Sequence, residues 1–283
     1  MKQPFEYVVA NDGSSPREKT SLNFGGLYTR NQIKDTCIDL SIKCVDVPPE
    51  LHMNRERVFP NTSHPADNHP GSRHTVAIQY VFNMYSASGR VVILLDSDMF
   101  LLKPFDINEH ISQYDLIYQS NKKEYEEGKI SICYIWPGFA IMNTATLPNL
   151  DTLSFDGGVV IRNDDFKYPG PSCKLKFSGY FADSGGNSYW YLKNNRDRIK
   201  IRDGAWDHTE IAAAAAVETY FIALETIKKK YSEHNCEYVR EFFLDSFIHI
   251  RRGSNWLSRP HQFYMDTIDA ITELLRAQYE KHS

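Results

Sequence analysis

The chain reads as an α/β protein with a mixed, largely parallel central sheet flanked by helices, and two observations carry that expectation. Val76, Ala77, Tyr80, Val81, Met84 and Tyr85 recur at helical spacing, and after Ser88-Gly89 the chain runs straight into Arg90-Val91-Val92-Ile93-Leu94-Leu95. An amphipathic helix that delivers a short, β-branched, continuously apolar run is the pattern of a helix feeding a strand buried on both faces. The second observation is composition: 283 residues with 42% hydrophobic, 13% aromatic and 24% charged side chains can bury a sizeable core without disulfides. Collagen-like, low-complexity and wholly disordered chains are excluded.

The elements follow in order. Phe5-Glu6-Tyr7-Val8-Val9-Ala10 reads as a first buried strand, stopped by the turn formers Asn11-Asp12-Gly13-Ser14. Ile38, Leu40, Ile42 and Cys44 alternate with Asp39, Ser41 and Lys43, the period of a half-buried strand. From about Pro48 to Gly71 the chain is rich in Pro, Asn and His, so a loop is expected there. Ser72 stands where an N-cap of the next helix would lie. Asp115-Leu116-Ile117-Tyr118 and Gly138-Phe139-Ala140-Ile141-Met142 are further strand candidates. Ala212 to Lys230 is strongly helix-forming, and its five consecutive alanines, Ala212 to Ala216, are unusual enough to suggest engineering. Ile268, Ile271, Leu274 and Leu275 predict a closing helix.

Thirty-two Lys and Arg against thirty-six Asp and Glu leave a net charge of -4, which offers no overall field for nucleic acid. No run of eighteen apolar residues exists for a transmembrane helix, and Met1-Lys2-Gln3-Pro4 lacks the apolar stretch of a signal peptide. A soluble, cytoplasmic protein is therefore expected. Five cysteines, Cys37, Cys44, Cys133, Cys173 and Cys236, are widely spaced without a Cys-x-x-Cys pair, so structural or incidental thiols are expected rather than zinc or redox ligands. His64, His69 and His74 recur every five residues, which fits neither a helix face nor a zinc finger.

The most informative stretch is Val91-Val92-Ile93-Leu94-Leu95-Asp96-Ser97-Asp98-Met99. A strand ending in two carboxylates places them at the carboxyl edge of a sheet, where α/β folds bind ligands. Two residues apart in extended geometry, Asp96 and Asp98 share a side and can converge on one hard cation. An Asp-rich turn after a strand is the plainer alternative.

This stretch resembles the Asp-x-Asp motif of nucleotide-sugar glycosyltransferases with the GT-A fold, and the resemblance extends to an ordered set of segments. Val8-Val9-Ala10-Asn11-Asp12-Gly13 occupies the place of the first strand and nucleotide-binding turn, and a helix then leads into the Asp-x-Asp strand. Phe247-Ile248-His249-Ile250-Arg251-Arg252-Gly253-Ser254-Asn255-Trp256 is similar to C-terminal His-Gly-Trp segments that close over the diphosphate. The organisation of most of the chain is covered, and the sharp motifs amount to some twenty residues.

The resemblance implies one GT-A domain over residues 1–283, with a nucleotide-sugar half at 1–105 and an acceptor-facing half with the closing segment at 106–283. It implies metal-dependent transfer of a sugar from a nucleoside diphosphate, UDP by preference, to a hydroxyl of a glycan, protein or small molecule. Asp98 and His249 would hold Mn2+ or Mg2+, the imidazole nitrogen favouring manganese. Asp96, with Ser97, would contact the ribose or the metal. Ala10, Asn11 and Asp12 would meet the uracil or ribose. Arg73, the Gly253-Ser254 turn and Trp256 would meet or cover the diphosphate, the turn by its backbone N–H groups.

Each of these has a structural counterpart: a buried satisfied histidine, a solvated basic turn, an exposed first-turn arginine, a core tryptophan, a simple turn. On the acceptor side Gly157-Gly158, Asp164-Asp165 and Phe181 to Asn187 are candidates, and Asp183 is the residue expected to act as base. Two other functions use the same residues. A haloacid-dehalogenase-type phosphatase would take Asp96 as nucleophile and Asp98 as acid. A non-catalytic nucleotide-sugar or glycan-binding domain needs no base at all.

Overall fold

The computed structural model of the chain describes residues 5–13, 30–59, 70–161, 167–169, 176–203, 222–223, 225–227, 229–231, 239–244, 246–251 and 261–282. In chain order the elements are β1 (Val8–Asn11), α1 (Arg30–Asp39), β2 (Lys43–Asp46), α2 (Glu50–Met53), α3 (Pro70–Ser86), β3 (Val91–Leu95), β4 (Met99–Leu101), α4 (Ile107–Ile111) and β5 (Leu116–Tyr125). There follow β6 (Ile130–Asn143), β7 (Gly158–Ile161), β8 (Lys167–Pro169), β9 (Lys176–Ser178), β10 (Tyr180–Ala182), α5 (Ser188–Asn195), β11 (Ile201–Asp203), β12 (Val239–Phe243), β13 (Phe247–Arg251) and α6 (His261–His282). The architecture is mixed α/β. Phe5–Leu94 and His110–Asp203 form one compact unit; Met1–Pro4, Leu95–Glu109 and Gly204–Ser283 form the other.

In the first unit β1 and β2 pair in parallel, from Val8 opposite Lys43 to Asn11 opposite Asp46. The alternating stretch from Ile38 to Cys44 is not one strand: its first two residues close α1, and only Lys43–Asp46 are extended. The reason is a left-handed cap at Ser41, with φ 55°. Ile42 N–H donates to Cys37 O at 2.8 Å and Ser41 N–H to Ile38 O at 3.0 Å, the paired bonds of a Schellman turn. Ile38 and Leu40 are thereby left 64% and 63% exposed.

A four-stranded sheet runs in the order β11, β5, β6, β3. β11 lies parallel to β5, while β5 and β6 form a long antiparallel hairpin from Leu116 opposite Met142 to Tyr125 opposite Ile130. Its turn uses positive φ at Glu126, Glu127 and Gly128. The sheet is therefore mixed, and its longest pairing is antiparallel. β3, last in the order, is only half-buried from Val91 to Leu94, so the expectation of a strand covered on both faces does not hold.

Phe82 of α3, Leu116, Tyr118, Ile135, Ala140 and Met142 of the sheet, and Tyr191 and Leu192 of α5 share one core. Val76 and Ala77 of α3 pack with Val47, Leu51, Val58 and Phe59 in a second core beside Ala10. The helical spacing of α3 thus serves two cores at once. The expected loop after Pro48 carries α2 and a short helical turn at Arg55–Arg57, and α3 begins at Pro70, a residue suited to the first helical position because it has no N–H to leave unpaired.

In the second unit the strand order is β12, β13, β4, both pairings antiparallel. Phe247 packs edge-on against Phe105, ring centroids 5.0 Å apart. α6 forms as the spacing predicts and buries Ile271 and Leu274 together with Phe263, while Ile268 of the expected apolar set is 49% exposed; Phe263 meets Tyr231 at 5.4 Å. Asp266 accepts from Lys230 Nζ at 2.6 Å and from Tyr231 OH at 3.0 Å. Ala212 to Ala216 lie outside the described residues. Among the described residues no helix is long and apolar enough to cross a membrane.

Candidate functional site

Immediately after β3 the chain turns through Asp96-Ser97-Asp98. Ser97 N–H donates to Asp96 Oδ1 at 2.9 Å, and Met99 N–H donates to Asp96 O at 3.1 Å, closing a four-residue turn. β4 begins at once and pairs with β13, Met99 opposite His249, Phe100 opposite Ile248 and Leu101 opposite Phe247. Leu102 N–H prolongs the ladder by donating to Ser246 O at 2.8 Å. The register sets Asp98 one residue outside the Met99–His249 pair. Asp96, Asp98 and His249 thereby gather, each offering one ligand atom, with those atoms all within 4.8 Å of one another.

The contact within this trio fits a shared cation. His249 Nε2 lies 3.1 Å from Asp98 Oδ1, the side chains 4% and 17% exposed. Among the described residues Asp98 Oδ1, shut off from solvent, receives no aligned hydrogen bond. Two ligands at right angles on a cation, each about 2.0–2.2 Å from it, stand about 2.8–3.1 Å apart. One imidazole and two carboxylates are a donor set for manganese, iron or zinc more than for magnesium, which prefers oxygen alone. Phe243, with its ring centroid 6.5 Å from that of His249, and Met99, Phe247 and Ile248, all buried, pack the surrounding structure with apolar side chains.

Of the predicted nucleotide-contacting residues, Ala10, Asn11, Asp12 and Arg73 lie in the first unit, whereas Asp96 and Ser97 belong to the second. Ala10 is half-buried in β1. Asn11 is fully buried: its Nδ2 donates to Arg30 O at 3.0 Å and to Asp46 Oδ1 at 2.8 Å, and its Oδ1 accepts from Gly13 N–H at 3.1 Å. That side chain fastens β1 to β2 and α1. Arg73 grips Asp12, with Nε 3.2 Å from Oδ2 and Nη2 3.3 Å from Oδ1 and 3.0 Å from the Asp12 carbonyl. His52 Nε2 lies 2.7 Å from Asp12 Oδ1. Arg73 is thus an ion-pair partner rather than an isolated first-turn cation.

Asp183 belongs to the same unit. It is exposed on the loop after β10, and its Oδ1 accepts from Ser184 N–H at 2.8 Å. Gly185 holds that loop with φ 89°. Its N–H donates to Phe155 O at 2.7 Å, and an added Cβ would meet Ile135 O at 2.1 Å. Ser188 Oγ accepts from Ile135 N–H at 2.8 Å and donates to Gly185 O at 2.6 Å. Tyr134, buried beneath, has its hydroxyl pushed up to about 12, by burial first and then by the Asp183 charge.

No protein-family model, curated protein or solved structure matches this chain. The geometry stands alone.

Gly253, Ser254 and Trp256, and with them Arg252, Asp164 and Asp165, His64 and His69, lie outside the described residues. Cys37 is buried, Cys44 and Cys133 are half-buried, and all three are free thiols. Two side chains that sequence reasoning missed, Arg30 and His52, sit beside Asn11 and Asp12. Neither carries a motif, and each reaches its partners across 17 to 40 residues of chain.

Proposed function

We propose that the chain is a metal-dependent glycosyltransferase of GT-A type that moves a sugar from a nucleoside-diphosphate donor, UDP-linked by resemblance, to a hydroxyl acceptor. The convergence of Asp96, Asp98 and His249 is the observation that carries this reading. It joins the Asp-x-Asp segment to the late His segment of the resemblance, and nothing local in the sequence ties them. The order of β1, α3 and β3 adds support for the fold.

In this reading Asp98 and His249 hold the cation and Asp96 completes the set or meets the ribose. The cation would supply positive charge against the departing diphosphate. Asp183, exposed on a loop fixed from beneath, takes the proton of the acceptor hydroxyl. By resemblance Asp12 and Arg73 would meet the nucleotide. The phosphatase alternative makes Asp96 a nucleophile and gives His249 no task, so it is the weaker account.

The test is a panel of UDP-, GDP- and TDP-sugars with manganese, run beside p-nitrophenyl phosphate with magnesium. Manganese-dependent release of nucleoside diphosphate supports the transferase, and its loss in Asp98→Asn ties it to the trio. Release of nitrophenol instead would establish the phosphatase. Tight nucleotide-sugar binding without turnover would leave a binding domain. Calorimetry with UDP and GDP decides the base, and a clear preference for GDP would overturn the uridine assignment.

A further inference from the structure

We infer that Cys37 of α1 and Cys44 of β2 are a modification site: a dithiol that a small-molecule disulfide oxidises to an intrachain bridge, pinning the last turn of α1 to β2. Arg30, Ile33, Lys34 and Cys37 stand at i, i+3, i+4 and i+7, one face of the helix. The first three show what that face covers. Arg30 Nη1 donates to Val47 O at 2.7 Å, and Arg30 O accepts from Asn11 Nδ2 at 3.0 Å. A Cβ on Gly13 would meet Ile33 Cδ1 at 2.9 Å, and Lys34 Nζ lies 3.8 Å from Asp46 Oδ2.

These contacts fix a register between helix and strand. From Arg30 to Lys34 the partners step back from Val47 to Asp46, so α1 runs against β2. Seven residues of helix rise about 10.5 Å and three residues of strand about 10 Å, which carries Cys37 from the level of Val47 to the level of Cys44. Cys44 is two residues from Asp46 in β2 and so shares its face of the β1–β2 pair. Cys37 is the one residue of α1 that is buried. The two thiols are hydrogen-bonded: burial first, and then this bond to Cys37, push the Cys44 thiol up. Both are free.

Hydrogen-bonded thiols need only a short approach to reach the S–S bonding distance of about 2.05 Å. Cys44 is half-buried and Cys37 is 4% exposed, so exchange begins at Cys44. Its thiolate attacks one sulfur of the small disulfide and expels a small thiolate; the Cys37 thiolate then attacks the Cys44 sulfur of the mixed disulfide and expels the second. One S–S bond breaks in the reagent and one forms in the protein. The two leaving thiolates take up the two protons that the pair gives to solvent, so the pair is oxidised, and the reagent reduced, by two electrons. The raised Cys44 thiol makes the first step slow. The inference is independent of the Asp96–Asp98–His249 reading, because it needs neither metal nor nucleotide.

The experiment treats the intact chain with oxidised glutathione, alkylates the remaining thiols and maps the digested peptides by mass spectrometry. The parent should yield the Cys37 and Cys44 peptides joined, lighter by two hydrogens than their sum, and reductant should release them. Cys37→Ser should stop at the mixed disulfide, with glutathione retained on Cys44. Cys44→Ser should leave Cys37 unmodified at times when the parent is fully bridged. Three results overturn the proposal: both residues alkylated after prolonged oxidation, glutathione persisting on Cys44 of the parent, or Cys44 bridged to a cysteine other than Cys37. Circular dichroism checks that each variant folds. If Cys37→Ser does not, the joined peptides of the parent and the Cys44→Ser chain decide the matter.

Discussion

Met99 and His249 stand opposite one another across the antiparallel β4–β13 pair, and that register places His249 Nε2 3.1 Å from Asp98 Oδ1. Successive side chains of a strand point to opposite faces, so a slip of one residue would turn His249 away from the carboxylates. The trio depends on pairing register as much as on residue identity.

Neutralising Asp98 tests the trio directly. Asp98→Asn should lower manganese affinity by more than about tenfold, because the cation loses a charged ligand, while the metal-free unfolding midpoint stays near that of the parent. His249→Ala should weaken manganese-supported UDP binding by a similar factor and leave metal-free binding little changed; His64→Ala should do neither. Manganese binding at parental affinity in Asp98→Asn would remove the metal role.

The loop that carries Asp183 should be intolerant of small changes. Gly185→Ala combines a positive φ with a Cβ set against Ile135 O, and should cost at least about 3 kcal/mol in urea unfolding. Ser188→Ala strips the partner from the buried Ile135 N–H and Gly185 O, and should cost about 2–3 kcal/mol. If Gly185→Ala proves as stable as the parent, the close approach to Ile135 is wrong.

The cap of α1 offers a gain instead. Ser41 is a non-glycine residue in the left-handed region at φ 55°, where a side chain costs roughly 1 kcal/mol. Ser41→Gly should raise stability by about 0.5–1 kcal/mol, read as a shift in the denaturation midpoint at constant slope. A loss of stability would contradict the Schellman geometry.

Alkali should unfold the chain through its buried tyrosines. Burial raises the Tyr118, Tyr134 and Tyr191 hydroxyls, Tyr134 to about 12, against about 10 in an unfolded chain. A raised folded value means the contribution is complete below about pH 10 and is lost as pH climbs through the folded value, at about 1.4 kcal/mol per pH unit for each group. Tyr134 alone accounts for roughly 2–3 kcal/mol by about pH 12. Tyrosinate absorbance followed beside circular dichroism checks this: a late fraction of the seventeen tyrosines should ionise together with unfolding. Full ionisation near pH 10 with the fold intact would refute it.

Periodicity made α3 and α6 legible, because helical spacing records the positions each buries, and continuous apolar runs marked β5 and β6, where Leu116–Gln119 and Pro137–Met142 are buried without alternation. It misled at Ile38 to Cys44, where a helix end and a strand start share an alternating pattern and the cap that separates them is a serine rather than a glycine. The half-buried state of β3 was equally hidden, since an apolar run does not say what covers it. Of the candidate sites, Asp96 and Asp98 follow from two carboxylates one residue apart after a strand. His249 was legible only through resemblance, and Arg30 and His52 not at all, because their partners are set by tertiary contacts.

The division of the chain into interleaved segments bears on when the trio can exist. The ribosome releases Phe5–Asp203 first, which contains every segment of the unit built on the β5–β6 hairpin, and with it Asp96 and Asp98 but no imidazole partner. β4 has no strand to pair with until Phe247–Arg251 are made, some seconds later at about 5–20 residues per second. A nascent or nicked chain that stops before residue 247 would hold the larger unit's segments complete and yet lack the imidazole of this trio.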